Sequence, residues 1–488
     1  MSRITPESTR RNYRWDFIVY YGAPLVIQIV RKCEMKIHPP VVEIPTENPY
    51  LQDLFERKTF GDSLSSLLAN IEDNIVLCID APWGEGKTTF ARMWIADLLK
   101  QGIHCIYFDA YEHDYSDDPY VSFCTEIISL AETAFAESSA IQELKEDFKT
   151  KAKRIGGKLL CTGTRIGVKA LTLGIIKDSD LDAIDSIRSD VADSSSAAIS
   201  NYVGKAFEDY ASSKESLSDF RDKLAALGSA VRTEQKFPLL IVVDELDRCR
   251  PDFALSLIER IKHLFSTKNV FFILLVNTAQ LQNYVKTVYG AEVDARNYLH
   301  KFITISTDLP LNRQDTHDND HAKYTQRLFQ HYGLTVRADL GTFLSRIFQY
   351  YGFSLREMER CFSILVLYFS QLPKKRLSIP EVIGFLAILK LRFPDIFGRL
   401  SSGNILYKDL IELTGVNKIE SNDYTHFPKD SFLNMLRFLL LSESEYKALD
   451  QNDSLHDFKN WLIPYNINRI KVMPFLCSEL SRFKMGDI

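Results

Sequence analysis

The nine residues Ala81-Pro82-Trp83-Gly84-Glu85-Gly86-Lys87-Thr88-Thr89 restrict the fold more than any other stretch of the chain. They match G-x-x-x-x-G-K-[ST] at every fixed position except the first, where a small alanine stands for glycine at the exit of an apolar run. Gly84 and Gly86 let the backbone bend so that successive N–H groups face an anion, and a following helix directs its positive end at the same charge. Lys87 is suited to bridging two phosphates. Thr88 is suited to giving a hydroxyl to Mg2+, which keeps an octahedral oxygen shell with few protein ligands. Pro82, Trp83, Glu85 and Thr89 complete the loop. A chance glycine turn would show the same letters, but the pattern has the context it requires: Ile75–Asp80 reads as a strand and Phe90–Leu99 has helical spacing.

A second feature narrows the chemistry. Leu239–Val243 is a continuous apolar run ending in Asp244, Glu245 and Asp247. Such a run belongs inside a parallel sheet, and its acidic end then emerges at the edge where open α/β sheets bind ligands. Asp244 is placed to hold Mg2+ through its water shell, and Glu245 to polarise an attacking water. Asp247 has three readings: supporting the water, pairing with Arg248, or capping the helix that starts after Pro251. Asn277, at the end of Val270–Val276, is either a γ-phosphate or water contact or a turn former. Arg356 and Arg360, at i and i+4, can reach phosphates from a helical lid, and Arg296 can act between subunits; a solvated surface role stands beside each.

Strands at Ile75–Asp80, His104–Asp109, Pro238–Val243, Val270–Val276 and Phe302–Ser306 alternate with helical segments at Leu51–Ile71, Phe90–Leu99, Tyr120–Phe135 and Phe253–Phe265. This order predicts an α/β fold with a mainly parallel central sheet. At 488 residues the chain exceeds what one core usually serves. The expected organisation is an N-terminal extension (1–40), a nucleotide-binding domain (41–311) with a helical insertion (136–236), a helical lid (312–399) and a helical C-terminal region (400–488).

Composition excludes little. With 45% hydrophobic and 25% charged residues and a net charge of -5, a disordered or fibrous chain is disfavoured and no nucleic-acid partner is demanded. The insertion carries a basic, glycine-containing stretch from Lys151 to Lys177, followed at once by Asp178, Asp180, Asp182 and Asp185. It reads as a solvated helical insertion, with contact to nucleic-acid phosphates or a membrane surface as the alternative. Eight scattered cysteines without a C-x-x-C pair point to a reducing cytoplasm. No uninterrupted apolar run of about 20 residues predicts a transmembrane helix. Phe17–Val30, flanked by Arg10, Arg11, Arg14, Arg31 and Lys32, reads as an upstream extension or surface helix ahead of an anchor, which leaves a peripheral place at the inner face of the membrane as the second localisation.

With both motifs in hand, the sequence resembles the KAP family of P-loop NTPases, of the additional-strand class. The resemblance is carried by Trp83–Thr88, by Phe108-Asp109-Ala110-Tyr111, and by Asp244-Glu245-Leu246-Asp247-Arg248-Cys249 with Pro251. Tyr298–Phe302 with Leu309-Pro310, and Leu355-Arg356-Glu357, are similar to later family elements. Ala81 and Glu245 depart from the commoner Gly and Asp. The resemblance covers about residues 48–370 and implies ATP and Mg2+ as ligands, and, by kinship with prokaryotic members, a role in anti-phage defence or mobile-element exclusion.

Three functional expectations follow. The first is an ATP-hydrolysing enzyme in which Lys87 and loop amides hold phosphates, Thr88 and Asp244 hold Mg2+, and Glu245 activates water. The second is a nucleotide-gated switch or scaffold with little turnover that recruits an effector protein or further copies of itself. The third is a nucleic-acid-associated ATPase, supported by the basic segment alone.

Overall fold

The structure is a computed structural model that describes residues 36–116, 119–134, 218, 220–312, 319–334, 338–371, 379–419, 429–450 and parts of 453–482. Most of the expected N-terminal extension and of the 136–236 insertion, including Lys151–Lys177, lies outside the described residues.

The chain divides into two compact units, one formed by Val41–Asp315 with Ser354–Arg356 and the other by most of the remaining residues. The first is built on five strands, β1 (Val76–Asp80), β2 (Cys105–Asp109), β3 (Leu239–Asp244), β4 (Val270–Val276) and β5 (Ile305–Asp308). They form one sheet in the order β2-β3-β4-β1-β5 with every pairing parallel. β4 therefore lies between the strand that leads into the glycine loop and the strand that ends in carboxylates. That is the additional-strand arrangement.

The continuous apolar runs are explained by burial on both faces. Along β4, Val270, Phe272, Leu274 and Val276 enter one core while Phe271, Ile273 and Leu275 enter the other. The first core packs α3 (Pro119–Ala134), a helix at 220–235 (α4), α5 (Pro251–Ile261), α6 (Thr278–Tyr289) and α7 (Ala295–Leu299) against the sheet. The second takes α1 (Lys58–Asn70) and α2 (Lys87–Lys100). Cys78 is fully buried in the first core, behaving as a small apolar residue. Register sets Asp109 opposite Asp244 and Asp80 opposite Val276, so the strands end together and present their acidic termini at one edge.

Of the boundaries that differ from the sequence expectation, two have a visible cause. The helix expected over Leu51–Ile71 begins only at Lys58. Asp53 explains the delay: its carboxylate accepts from the N–H groups of Phe55 (3.3 Å) and Lys58 (2.9 Å), and Glu56 takes the left-handed conformation at φ 56°. The turn competes successfully with helix there. The last strand starts at Ile305 rather than Phe302, because Phe302 closes a turn onto Leu299 and packs edge-on against Tyr298 at 5.4 Å, and pairing with β1 begins where Thr304 N–H donates to Val76 O at 2.9 Å.

The other unit is helical among its described residues. It contains α8 (Asp320–Tyr332), α9 (Ala338–Tyr351), α10 (Leu355–Ser370) from Glu357 on, α11 (Pro380–Arg392), α12 (Pro394–Ser401), α13 (Tyr407–Thr414), α14 (Lys429–Leu440), α15 (Glu443–Lys447) and α16 (Arg469–Leu480). Residues 381–389 of α11 are buried all round, the signature of a central helix. The end of α14 leaves carbonyls that need donors. Buried Arg469 supplies them, donating from Nη1 to Phe438 O (2.7 Å) and Leu441 O (2.6 Å), while its guanidinium lies 4.6 Å from the Tyr446 ring centre. Arg469→Ala should lower stability by about 2–4 kcal/mol, since it strands two buried acceptors; equilibrium urea unfolding followed by circular dichroism measures the shift.

Candidate functional site

The glycine loop bends where expected: Gly84 and Gly86 have φ of 83° and 80°. A Cβ on Gly84 would sit 2.6 Å from Arg356 Cβ, so a side chain is refused there by space as well as by φ. Gly86 is the N-cap of α2, which puts the helix N-terminus at the loop. Ala81 is buried and its N–H donates to Val276 O at 3.2 Å, continuing the β1–β4 ladder; its small size fits this enclosed strand exit.

Lys87 folds back over its own loop. Nζ donates to Ala81 O at 2.6 Å, stands 3.4 Å from Pro82 O, and pairs with Asp247 Oδ2 at 3.5 Å. Both partners are nearly enclosed, Lys87 at 8% exposure and Asp247 at 1%, so the pair sits where solvent screens it little. The same Asp247 oxygen accepts from Trp83 Nε1 (2.7 Å) and from the main-chain N–H of Asn277 (2.9 Å). Asp247 O accepts from Tyr284 Oη at 2.7 Å, whereas Oδ1 is buried with no partner among the described residues. One carboxylate thus joins the loop, its lysine, the 3-10 turn after β3 and the end of β4. Of its three sequence readings, none named the loop lysine or Trp83 as partner.

Asp244 ends β3. Tyr107 Oη donates to Oδ2 (2.8 Å) and Glu245 N–H to Oδ1 (2.7 Å), so both oxygens are oriented while each keeps accepting capacity. Burial pushes its pKa above the usual carboxylate range, with these hydrogen bonds working the other way. Glu245 is a non-glycine residue at φ 58°, a conformation that costs about 1–2 kcal/mol. Its carboxylate is engaged at both oxygens: Thr88 Oγ1 donates to Oε1 (3.1 Å) and Arg248 pairs with Oε2 (2.6 Å). Burial, and then the Asp244 charge, raise its pKa as well. The residues Lys87, Thr88, Asp244 and Glu245, singled out by sequence, are therefore brought together.

The secondary candidates separate. Asn277 uses its side-chain Oδ1 to accept from Gln280 N–H (3.3 Å), capping α6, so its turn-forming reading has a visible basis. Arg356 reaches the loop by its main chain, donating N–H to Gly84 O at 3.3 Å, and its side chain is exposed. Arg360 is one turn further along α10, in the helical unit. Arg296 is an exposed residue of α7.

Several supports carried no sequence signal. Arg57, 4% exposed, donates from Nη2 to Glu85 O (2.9 Å) and from Nη1 to Gly86 O (3.4 Å). Asp80 receives Thr278 N–H at 2.9 Å and the Thr278 hydroxyl, locking β1 to the start of α6. Asp114 accepts from Arg250 N and Nε, each at 2.9 Å, and ties the turn after β2 to the acidic segment. Tyr107, a polar-tipped aromatic within a strand, offered the one readable hint, because such an edge-facing hydroxyl needs a partner.

The chain matches the KAP family P-loop domain across residues 57–370, more than half of its length. No curated protein matches it. Among solved structures, the Aeropyrum pernix ORC2 protein in ADPNP-ADP complexes is 12% identical, with 87% of this chain and 94% of that chain covered at a TM-score of 0.33. Its ADP form is 11% identical, with coverage of 91% and 95% and a TM-score of 0.31. At those scores the likeness carries no weight.

Asp244 supplies a test of the electrostatics. A carboxylate whose folded pKa is raised binds more protons folded than unfolded, so its contribution to stability falls as pH rises through that window, and its charge is a cost at neutral pH. Asp244→Asn should raise the thermal midpoint of the nucleotide-free protein at neutral pH, and the gain should shrink as pH falls below the raised pKa; scanning fluorimetry across pH reads both.

Proposed function

The chain belongs to the KAP family of P-loop NTPases, and on that footing we propose that it binds ATP at the 81–89 loop and hydrolyses the γ-phosphate. The observation that carries this reading is the convergence of Lys87, Thr88, Asp244 and Glu245 from the first turn of α2 and the end of β3.

The Thr88 hydroxyl and the Asp244 carboxylate, one neutral and one charged oxygen at the edge of the sheet, are a donor set that fits Mg2+. When bound there, Mg2+ would neutralise phosphate charge and would oppose the burial that raises the Asp244 pKa. The loop amides would hold the phosphates, and Lys87 would exchange the carbonyls of Ala81 and Pro82 for phosphate oxygen. Glu245 would orient a water, take its proton as the oxygen–phosphorus bond forms, and leave ADP as the departing group. A raised pKa strengthens Glu245 as a base, and it also moves the acid limb of activity upward from the ordinary carboxylate range. Arg356, fixed to Gly84 by its main chain with its side chain in solvent, is the arginine best placed to reach toward phosphate; Asn277 has the weaker claim, because its side-chain oxygen caps α6.

A second reading has its own observation. With Thr88 on one oxygen of Glu245 and Arg248 on the other, the base is occupied in this conformation. A protein that holds ATP as a switch and turns over only when an activator frees Glu245 fits that geometry. The cytoplasmic location and the defence or exclusion role rest on cysteine usage and family resemblance. Among the described residues, no helix is long and apolar enough to cross a membrane.

Lys87→Ala should abolish nucleotide binding. Glu245→Gln should keep binding and lose about 10²–10⁴-fold in turnover, as expected for removal of a general base. Wild-type turnover should decline as pH falls through the raised carboxylate range. A phosphate-release assay beside equilibrium ATP binding checks all three; tight binding by a wild type without turnover would favour the switch. Arg248→Ala, which frees Glu245, should then restore turnover.

A further inference from the structure

We infer that Arg57 is a positioning residue of the phosphate loop: its buried guanidinium fixes the peptide planes of Glu85–Gly86 and Gly86–Lys87 so that their N–H groups face bound phosphate. The inference rests on the nucleotide-binding reading of the 81–89 loop and names a residue outside that loop on which its shape depends.

The geometry follows from the planarity of the peptide. Every described peptide bond is trans, so a plane whose C=O is held on one side presents its N–H on the other. Arg57 Nη2 holds Glu85 O at 2.9 Å, which turns Gly86 N–H away from it. Nη1 approaches Gly86 O at 3.4 Å, beside the helical bond from Phe90 N at 3.0 Å, and this turns Lys87 N–H away. The preceding plane is held the same way, by Arg356 N–H on Gly84 O at 3.3 Å. Three consecutive N–H groups are thus set to converge by donors that lie outside the loop, which is the form of an anion nest.

Arg57 is held for this task. It lies 4.9 Å from the Phe55 ring centre and is 4% exposed, so the cation is enclosed among the groups it orients. Glycine at position 86 suits this approach, since its φ is 80° and a Cβ there would stand 3.0 Å from Nη1. The turn that delivers it is the one that delays α1: Asp53 caps Phe55 and Lys58, and Glu56 accepts a left-handed backbone one residue before Arg57. Strain of that kind persists where surrounding structure over-determines it. A planar guanidinium can hold two carbonyls at once, which the point charge of a lysine does not reproduce.

The β-phosphate nest is used alike by ATP and ADP, in ground and transition states. Removal of Arg57 should therefore weaken binding of both nucleotides by the same factor and raise KM with kcat largely retained. In the full-length protein, Arg57→Ala is expected to weaken ATP and ADP by about tenfold or more, the scale of a lost charge-assisted hydrogen bond. Guanidinium ion added below denaturing concentration should recover part of the affinity. Arg57→Lys should be intermediate, and it carries the test if Arg57→Ala does not fold. Calorimetric titration with ATP and with ADP reads the affinities, and steady-state phosphate release reads KM and kcat. Both variants binding as tightly as wild type would overturn the inference. So would a loss confined to ATP, which marks a γ-phosphate contact, or a loss confined to kcat. A wild type that binds neither nucleotide would overturn the loop reading itself and this inference with it.

Discussion

The carboxylate of Asp247 is the point on which the site's construction turns. Enclosed almost completely, it accepts from Trp83 of the glycine loop and from the N–H of Asn277 at the end of β4, and it pairs with Lys87. Its own carbonyl is held by Tyr284 of α6. Together with the Thr88–Glu245 hydrogen bond, this carboxylate ties the loop to the acidic strand end across β4, which lies between their two strands. The two share a charge, and the lysine that would meet phosphate is stored beside the carboxylates that would meet metal and water.

Burying charge in this way is costly unless each group is satisfied, and the site shows how closely that condition is met. Lys87 has two loop carbonyls and a carboxylate. Asp244 has Tyr107 and a main-chain N–H. Glu245 has Thr88 and Arg248, and it holds this position in a left-handed backbone. Even so, burial leaves Asp244 and Glu245 with raised pKa values, so both carboxylates favour the arrival of positive charge. Phosphate and metal would enter by exchanging these contacts.

Much of this architecture was legible because its signals are local. The continuous apolar runs of β3 and β4 told of burial on both faces, and the glycines with Lys87 and Thr88 told of a strand, a bend and a helix. The parallel sheet and the convergence of Asp244 and Glu245 on the loop follow from those signals. What was not legible depends on contacts distant in sequence. Arg57 precedes a helix like any surface arginine, and only the fold brings it to Glu85 and Gly86. The helix expected over Leu51–Ile71 had good periodicity, which the Asp53 turn overrode. Trp83 and Asp247 are 164 positions apart, and no spacing rule links an indole to a particular carboxylate. Asn277 shows the opposite limit: its strand-end position left a phosphate or water contact and a turn former equally open, and its side-chain oxygen caps the helix that follows.

The most direct measurement of the account is an experimental structure of the protein with Mg2+ and a non-hydrolysable ATP analogue. The β-phosphate should lie against the N–H groups of Glu85, Gly86 and Lys87, with Lys87 Nζ moved from Ala81 O to phosphate oxygen and the metal beside Thr88 and Asp244. An analogue bound elsewhere, or bound at the loop with Lys87 still on Ala81 and no metal near Asp244, would contradict it.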